Sequence, residues 1–287
     1  MKTLYIIGNG FDLWHGLPTS YRQFYDFAQD ILDEVEEHYI FNPSRDIPWY
    51  DFENALGTFN ADGFFDYHNE IDVTAEDFRS SFAFALEDEL VEASERHVTT
   101  IKDAFIEWID QIDETQATIK MKFNDNAIFI NFNYTSTLQA VYDIEDKDIL
   151  HIHGCAKKYD ELIFGHGEEI TSNPEIDENG DSNRTMFSDA ESAAKYPLYA
   201  FKKPVDEIIK NMTNYFEQLG DVTEIVIIGH SLNKIDLPYF CRISEKATGA
   251  KWNVACYTES DKTYYLQALI NCGISQDKIN TLSYNDL

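Results

Sequence analysis

Basic residues are what this chain has least of. Its 287 residues carry 22 Lys and Arg against 52 Asp and Glu, a formal net charge of -30 at pH 7. A surface that acidic repels phosphate backbones and anionic lipid, which argues against nucleic acid and membrane as partners. An anionic ligand would have to be held by local backbone N–H groups against the overall field. Cysteine is scarce too: Cys155, Cys241, Cys256 and Cys272 form no C-x-x-C pair. That spacing argues against a zinc ribbon or a disulfide framework and predicts ordinary buried thiols in a reducing compartment. Long apolar runs are missing. "TLYII" breaks at Gly8, and no stretch approaches the roughly 18 apolar residues that span a bilayer. The expected location is cytoplasmic. Internal repeats and low-complexity tracts are absent as well.

Core material, by contrast, is plentiful. Hydrophobic residues make up 44% and aromatics 14%, which excludes global disorder. The length suits one large α/β domain over residues 1–287 with insertions. Five short apolar runs read as strands: "TLYII" (3–7), "AIFIN" (127–131), "DILHI" (148–152), "EIVII" (224–228) and "KWNVAC" (251–256). They are near-continuous rather than alternating, as parallel strands covered on both faces are. Between them lie segments of helical period. One opens at Ser20, with Gln23 completing a capping box, and carries Phe24, Phe27, Ile31 and Val35 on one face. Others are expected after Thr74, around Ile101–Ile112, and from Pro204 to Gly220. More than a hundred residues separate the first two strands, so residues 20–125 are expected to form a helical insertion. Residues 166–200 are polar, acidic and broken by "NP", "ENGDSN" and "YP", and are expected to form a mobile loop. The "DENGDSN" within it lacks the spacing and closing Glu of a calcium loop.

Four polar turns follow four of these strands. Gly8 and Gly10 fit the first part of G-x-G-x-x-G, but Leu13 stands where the third glycine belongs. A strand feeding such a turn presents free N–H groups to a phosphate. Asp12 would repel phosphate there; it suits a ribose hydroxyl or a cap on its own turn. Asn133 in "FNYT" could hydrogen-bond a sugar or position a water. In "HIHG" (151–154), alternation puts His151 and His153 on one face, where a histidine can serve as general base. Beyond His166 no third ligand is evident, so no metal is expected. Gly229-His230-Ser231 resembles a nucleophile elbow, but Asn233 replaces its last glycine and no histidine follows His230. That order disfavours a serine hydrolase using Ser231 and leaves a second ligand-binding turn.

Taken in order, "IIGNGFDLWHGLPTSY" (6–21), "WYDFE" (49–53), "NFNYT" (131–135), "HIHG" and "IIGHSLNKID" (227–236) resemble the AbiH family of bacterial abortive-infection proteins. These landmarks cover most of the chain. More distantly, they resemble the sirtuin-type NAD-binding fold. Gly8 and Gly10 match its first glycine loop, and Gly16-Leu17-Pro18 its Gly-Ile-Pro turn. Asn133 matches its ribose-orienting asparagine, His153 with Gly154 its catalytic His-Gly, and Gly229, Ser231 and Leu232 its final nucleotide loop. Asn9 and Asp12 depart from the alanine and serine of that loop, Tyr21 stands in place of its arginine, and the four zinc cysteines are missing. That argues against protein deacylation.

The resemblance implies a Rossmann-like, sirtuin-like parallel sheet with a large helical insertion between its first two strands. It implies an antiphage abortive-infection effector that binds NAD, as substrate or ligand, and hydrolyses the nicotinamide–ribose bond. Backbone groups of Gly8, Asn9, Gly10 and Phe11, with Pro18 beside them, would hold the pyrophosphate. Gly229, Ser231 and Leu232 would hold the adenosine side. Asn133 would fix the nicotinamide ribose, His153 would act as general base, and Asp12 would stabilise the developing cation. The partners are then a nucleotide, with a homo-oligomer or a phage-derived trigger left open. The alternatives are a non-catalytic NAD or ADP-ribose sensor and a hydrolase using Ser231; a nuclease ranks last because the charge is wrong.

Overall fold

The structure, a computed structural model, describes residues 2–41, 48–171 and 174–287. Its centre is a six-stranded, all-parallel sheet with strand order β3-β2-β1-β4-β5-β6. The strands are β1 (Lys2–Ile7), β2 (Ala127–Asn131), β3 (Ile149–His151), β4 (Val222–Ile228), β5 (Lys251–Cys256) and β6 (Ile279–Ser283). The order reverses between β1 and β4, the first and fourth strands in sequence.

Among the described residues the helices are α1 (Asn9–Trp14), α2 (Tyr21–Phe27), α3 (Gln29–Val35), α4 (Phe52–Leu56), α5 (Ala61–His68), α6 (Phe82–Asp110) and α7 (Thr137–Tyr142). They continue with α8 (Ser188–Ala194), α9 (Tyr196–Ala200), α10 (Val205–Asn211), α11 (Thr213–Glu217), α12 (Leu237–Lys246) and α13 (Glu259–Asn271). None is long and apolar enough to cross a membrane.

The chain divides into two compact units. The first holds residues 1–23, 108–163 and 204–287, with the whole sheet; the second holds 24–107 and 164–203. In the first unit, successive side chains of each strand point to opposite faces, so the near-continuous apolar runs feed two cores. Leu4, Ile6, Ile130, Ile225, Ile227, Trp252 and Val254 pack with Phe216, Phe240, Ile243 and Leu269 of the helices. On the other face Tyr5, Ile7, Phe129, Ile149, Val226 and Ile228 pack with Phe11, Phe123 and Leu138.

In the second unit, Phe24, Phe52, Phe105 and Phe164 form an aromatic cluster with centroids 4.3–5.7 Å apart, Phe52 stacked on Phe105 and Phe24 edge-on to both. Lys203 Nζ donates to Glu53 of the "WYDFE" motif at 2.7 Å, an ion pair buried on both sides. Tyr39 and His97 share a buried hydrogen bond at 2.8 Å.

Several elements differ from the sequence reading. β6 is an edge strand with one partner and an exposed, polar alternation, so it shows no apolar run. The capping box at Ser20 forms, with Gln23 accepting from the Ser20 N–H at 3.0 Å. The helix it starts breaks at Ala28, however, and the buried stripe becomes Phe24, Ala28, Leu32 and Val35 while Phe27 is exposed. The two helices expected near 74–90 and 101–112 are one, α6, because no Gly or Pro interrupts residues 82–110. Residues 188–194 and 196–200 of the expected loop are helical. Cys241 and Cys272, expected as thiols, form a disulfide with Cα atoms 4.4 Å apart. Packing of α12 on the end of α13, where Ser244 Oγ donates to Cys272 O at 2.7 Å, joins residues that no local spacing rule links. Cys155 and Cys256 remain free and buried.

At the reversal of strand order the turns after β1 and β4 touch backbone to backbone. Gly8 N–H donates to Ile228 O at 3.0 Å, and Gly10 N–H to Gly229 O at 2.8 Å. A Cβ on Gly10 would lie 2.8 Å from Gly229 Cα; one on Gly229, whose φ is +74°, would lie 2.1 Å from the Phe11 nitrogen. Gly229→Ala is therefore expected to lower the unfolding free energy by at least ~2 kcal/mol, combining left-handed strain with overpacking. Gly249→Ala, with open space around it, should stay within ~0.5 kcal/mol of wild type. Urea unfolding of both variants measures the difference.

Candidate functional site

The turns after β1, β2, β3 and β4 lie at the carboxyl ends of adjacent parallel strands, where open α/β sheets place their ligands. All four belong to the sheet-bearing unit. β1 passes through Gly8 straight into α1, and Asp12 in its first turn is fully buried. Asp12 does not cap its own turn. Thr135 Oγ1, beyond β2, donates to Asp12 Oδ2 at 2.5 Å, and Thr137 Oγ1 donates to Thr135 Oγ1 at 3.2 Å. Both hydroxyls are thus spent on steadying a carboxylate. Burial pushes the Asp12 carboxyl up to about 6, with hydrogen bonds from Thr135 and Thr137 and the nearby Asn133 amide opposing the rise and the Glu114 charge adding to it. Glu114 itself accepts from the Ser136 N–H and hydroxyl, both at 3.1 Å.

Asn133 is buried beside this pair. Its backbone N–H donates to Asn131 Oδ1 at 3.0 Å, but both polar atoms of its own carboxamide lack a hydrogen-bond partner, as does Asp12 Oδ1. The amide lies near enough to favour the Asp12 carboxylate without meeting it in hydrogen-bond geometry. Three buried polar atoms from two adjacent strand ends are left unsatisfied. Such orphans cost roughly 1–3 kcal/mol each, and a native structure keeps them where a ligand or ordered water completes them.

The glycine turn does other work than the phosphate cradle expected of it. The N–H groups of Gly8, Gly10 and Phe11 are all bonded to backbone carbonyls, the last to Gly8 O at 2.9 Å. Phe11 is a core residue, its ring 4.3 Å from His15. Asn9 Nδ2 donates to Thr19 O at 2.7 Å and ties α1 to the Gly16-Leu17-Pro18 turn, on which Pro18 is exposed. On the β4 turn, Leu232 is fully buried at φ +52°, while Ser231 is exposed. The left-handed positions there are Gly229 and Leu232, so Ser231 does not occupy the strained apex of a nucleophile elbow.

His151 and His153 do not share a face. β3 ends at His151, which sits on the Ile149 side with Asn131 Nδ2 at 3.4 Å and Gln139 Nε2 at 2.9 Å from its ring nitrogens. Burial, first of all, holds it down at about 4. The chain then bends, and His153 turns to the opposite side, where its ring meets Phe132 edge-on at 5.2 Å and Tyr239 at 5.6 Å. His153 Nε2 faces Asp236 Oδ1 at 3.9 Å, and His230 Nε2 faces Asp236 Oδ2 at 3.6 Å. His166 Nε2 donates to Leu198 O at 2.9 Å, and the residue belongs to the second unit. No group of three His, Cys, Asp or Glu side chains placed to hold a metal occurs among the described residues.

Sequence reasoning singled out Asp12, Asn133 and His153 but passed over Thr135, Thr137, His230 and Asp236. The signal for the last two was available: a histidine and an aspartate within "IIGHSLNKID", in the turn that follows the apolar run "IVII" of β4.

The raised Asp12 carboxyl makes a pH prediction. An acid whose folded pKa lies above its ordinary 3.8 binds its proton more tightly when folded. Its contribution is therefore fully present at low pH and is lost as pH rises through about 6. Asp12→Asn keeps an acceptor for Thr135 and cannot ionise. Relative to wild type it should gain about 3 kcal/mol between pH ~4 and pH ~7, at 1.36 kcal/mol per pKa unit. Chemical denaturation of both proteins across that range checks it; a pH-independent difference contradicts it.

A family model described as bacteriophage abortive infection AbiH matches residues 4–256. No curated protein and no solved structure matches the chain. The family match starts in β1, ends with β5, and takes in every strand-end turn described above; the chain belongs to the AbiH family of bacteriophage abortive infection proteins.

Proposed function

We propose that this chain carries out its abortive-infection role by binding NAD at the carboxyl ends of β1 to β4 and hydrolysing the nicotinamide–ribose bond. The observation that carries the reading is the buried trio of unsatisfied atoms on Asp12 and Asn133. A carboxylate oxygen and a carboxamide side by side offer two acceptors and a donor, a set that suits sugar hydroxyls. The strand order β3-β2-β1-β4-β5-β6 supports a Rossmann-like reading, since it is the order of doubly wound dinucleotide-binding sheets.

In this reading Asn133 holds the nicotinamide ribose and a water. As the C1′–N bond breaks, its electron pair leaves with neutral nicotinamide and the ribose becomes oxocarbenium-like. Asp12, ionised above about 6, stabilises that cation across a short distance in a dry site. Water adds to C1′, and His153 takes its proton. Because the N–H groups of Gly8, Gly10 and Phe11 are already bonded, recognition rests on the sugar rather than on a pyrophosphate cradle.

Nicotinamide release by the purified protein, and the NAD content of phage-infected cells expressing it, test the reading. Asn133→Ala and His153→Ala are each expected to reduce NAD loss by about 100-fold or more, with folding retained. Saturable NAD or ADP-ribose binding without product, in the tube and in infected cells, would assign a nucleotide sensor instead. Full turnover in both variants, or neither binding nor NAD loss, would overturn it.

A further inference from the structure

The proposed chemistry uses His153 but leaves a buried acid beside it without a role. Asp236, the residue before α12, places one carboxylate oxygen 3.9 Å from His153 Nε2 and the other 3.6 Å from His230 Nε2. All three residues are buried. The surroundings are aromatic: Phe132 meets the His230 ring at 4.4 Å and the His153 ring at 5.2 Å, Phe240 lies 4.9 Å from His230, and Tyr239 lies 5.6 Å from His153. Phe132 and Phe240 stack in turn at 5.9 Å. A carboxylate among such rings is tolerated only where donors face it.

The tautomer of one ring follows from its bonds. His230 Nδ1 accepts the Leu232 N–H at 2.9 Å, so in neutral His230 the proton sits on Nε2, on the side of Asp236. Leu232 itself sits in the left-handed region, at φ +52°. His230 thus gives Nδ1 to the backbone and turns Nε2 toward the acid at 3.6 Å. It is a support for Asp236 rather than a base.

We propose that Asp236 is the positioning residue of the site: it holds His153 in the Nε2–H form and balances the imidazolium that forms when His153 accepts a proton, while His230 occupies its second oxygen. The arrangement has the logic of an acid that orients a catalytic imidazole without itself taking the proton, with a second histidine in place of solvent. The proton balance is simple. One proton moves from the attacking water to His153, the Asp236 carboxylate stays ionised, and no redox step is involved. The inference rests on the assignment of His153 as base, yet its geometry can be tested without turnover.

The test is a long-range proton–nitrogen NMR spectrum of the imidazoles in the full chain at neutral pH. Wild type should show protonated, pyrrole-type Nε2 on both His153 and His230, with unprotonated Nδ1 on His230. In Asp236→Asn the amide can donate to His153, and its Nε2 should become pyridine-type; His230 keeps its Nδ1 signature because Leu232 still holds it. Asp236→Glu should restore the wild-type pattern in part. A pyridine-type His153 Nε2 in wild type overturns the proposal without any variant, and so does an unchanged His153 in folded Asp236→Asn. Where nicotinamide release is measurable, Asp236→Asn should lower kcat about 100-fold or more with KM within about 3-fold. Equal loss in both parameters with unchanged nitrogen signals would mark Asp236 as structural only. The nitrogen spectra stand even where no NAD is consumed, so failure of the NAD reading and failure of this one are separable.

Discussion

Everything at the strand ends depends on two turns being allowed to touch. β1 and β4 are neighbours only because the chain leaves β1 and returns to the opposite side of it, and both strands then end at the same level. Two ordinary turns would collide there. Glycine on both sides removes the Cβ atoms, and the backbones lock through the Gly10 N–H and the Gly229 carbonyl. Once that contact is made, α1 must start at Asn9, Phe11 must enter the core, and Asp12 must face the end of β2. The same lock sets Gly229 in its left-handed conformation, so that His230, Leu232 and Asp236 follow in fixed order. A packing requirement thus places two carboxylates, Asp12 after β1 and Asp236 after β4, in buried positions at strand ends that follow those of His153 and Asn133 in the order β3-β2-β1-β4.

The parts of the fold that were legible in the sequence are those in which burial decides everything. β1, β2, β4 and β5 announce themselves because a strand covered on both faces runs nearly continuous in apolar residues, with few polar ones such as Thr3, Glu224 and Asn253. β6 fails that rule at the sheet edge, where one ladder and one covered face suffice. The helices misread were misread at their ends: α2 stops at Phe27 although the apolar period runs on, and α6 continues where two segments looked separate. Local period records which residues want a core, not where a bend turns that core. The disulfide was invisible for a related reason, since only the packing of α12 against the end of α13 brings its cysteines together.

At the site, the glycines illustrate why a motif can be right in position and wrong in mechanism. Gly8 and Gly10 were legible as a turn that must bend tightly against something. The sequence suggested a phosphate; the object is the neighbouring turn. Strand alternation likewise predicted that His151 and His153 share a face, and it fails because β3 has already ended at His151. Asp12 and Asn133 were legible as polar residues at buried strand ends, but not the fact that they would meet each other's surroundings with polar atoms left over. Such local inconsistencies, tolerated by an otherwise well-satisfied core, are where function is expected to reside.

Charge connects these observations to the choice of ligand. A chain of net charge -30 lowers the concentration of any anion at its surface, and the N–H groups that would offset this at the first turn are spent on the fold. Affinity for a dinucleotide would then come from its uncharged sugars and from exclusion of water around them, not from its phosphates. Asp12 fits that division. In the proposed reaction the substrate's pyridinium is already cationic, and Asp12 would balance that charge as it passes onto the ribose when the C1′–N bond opens.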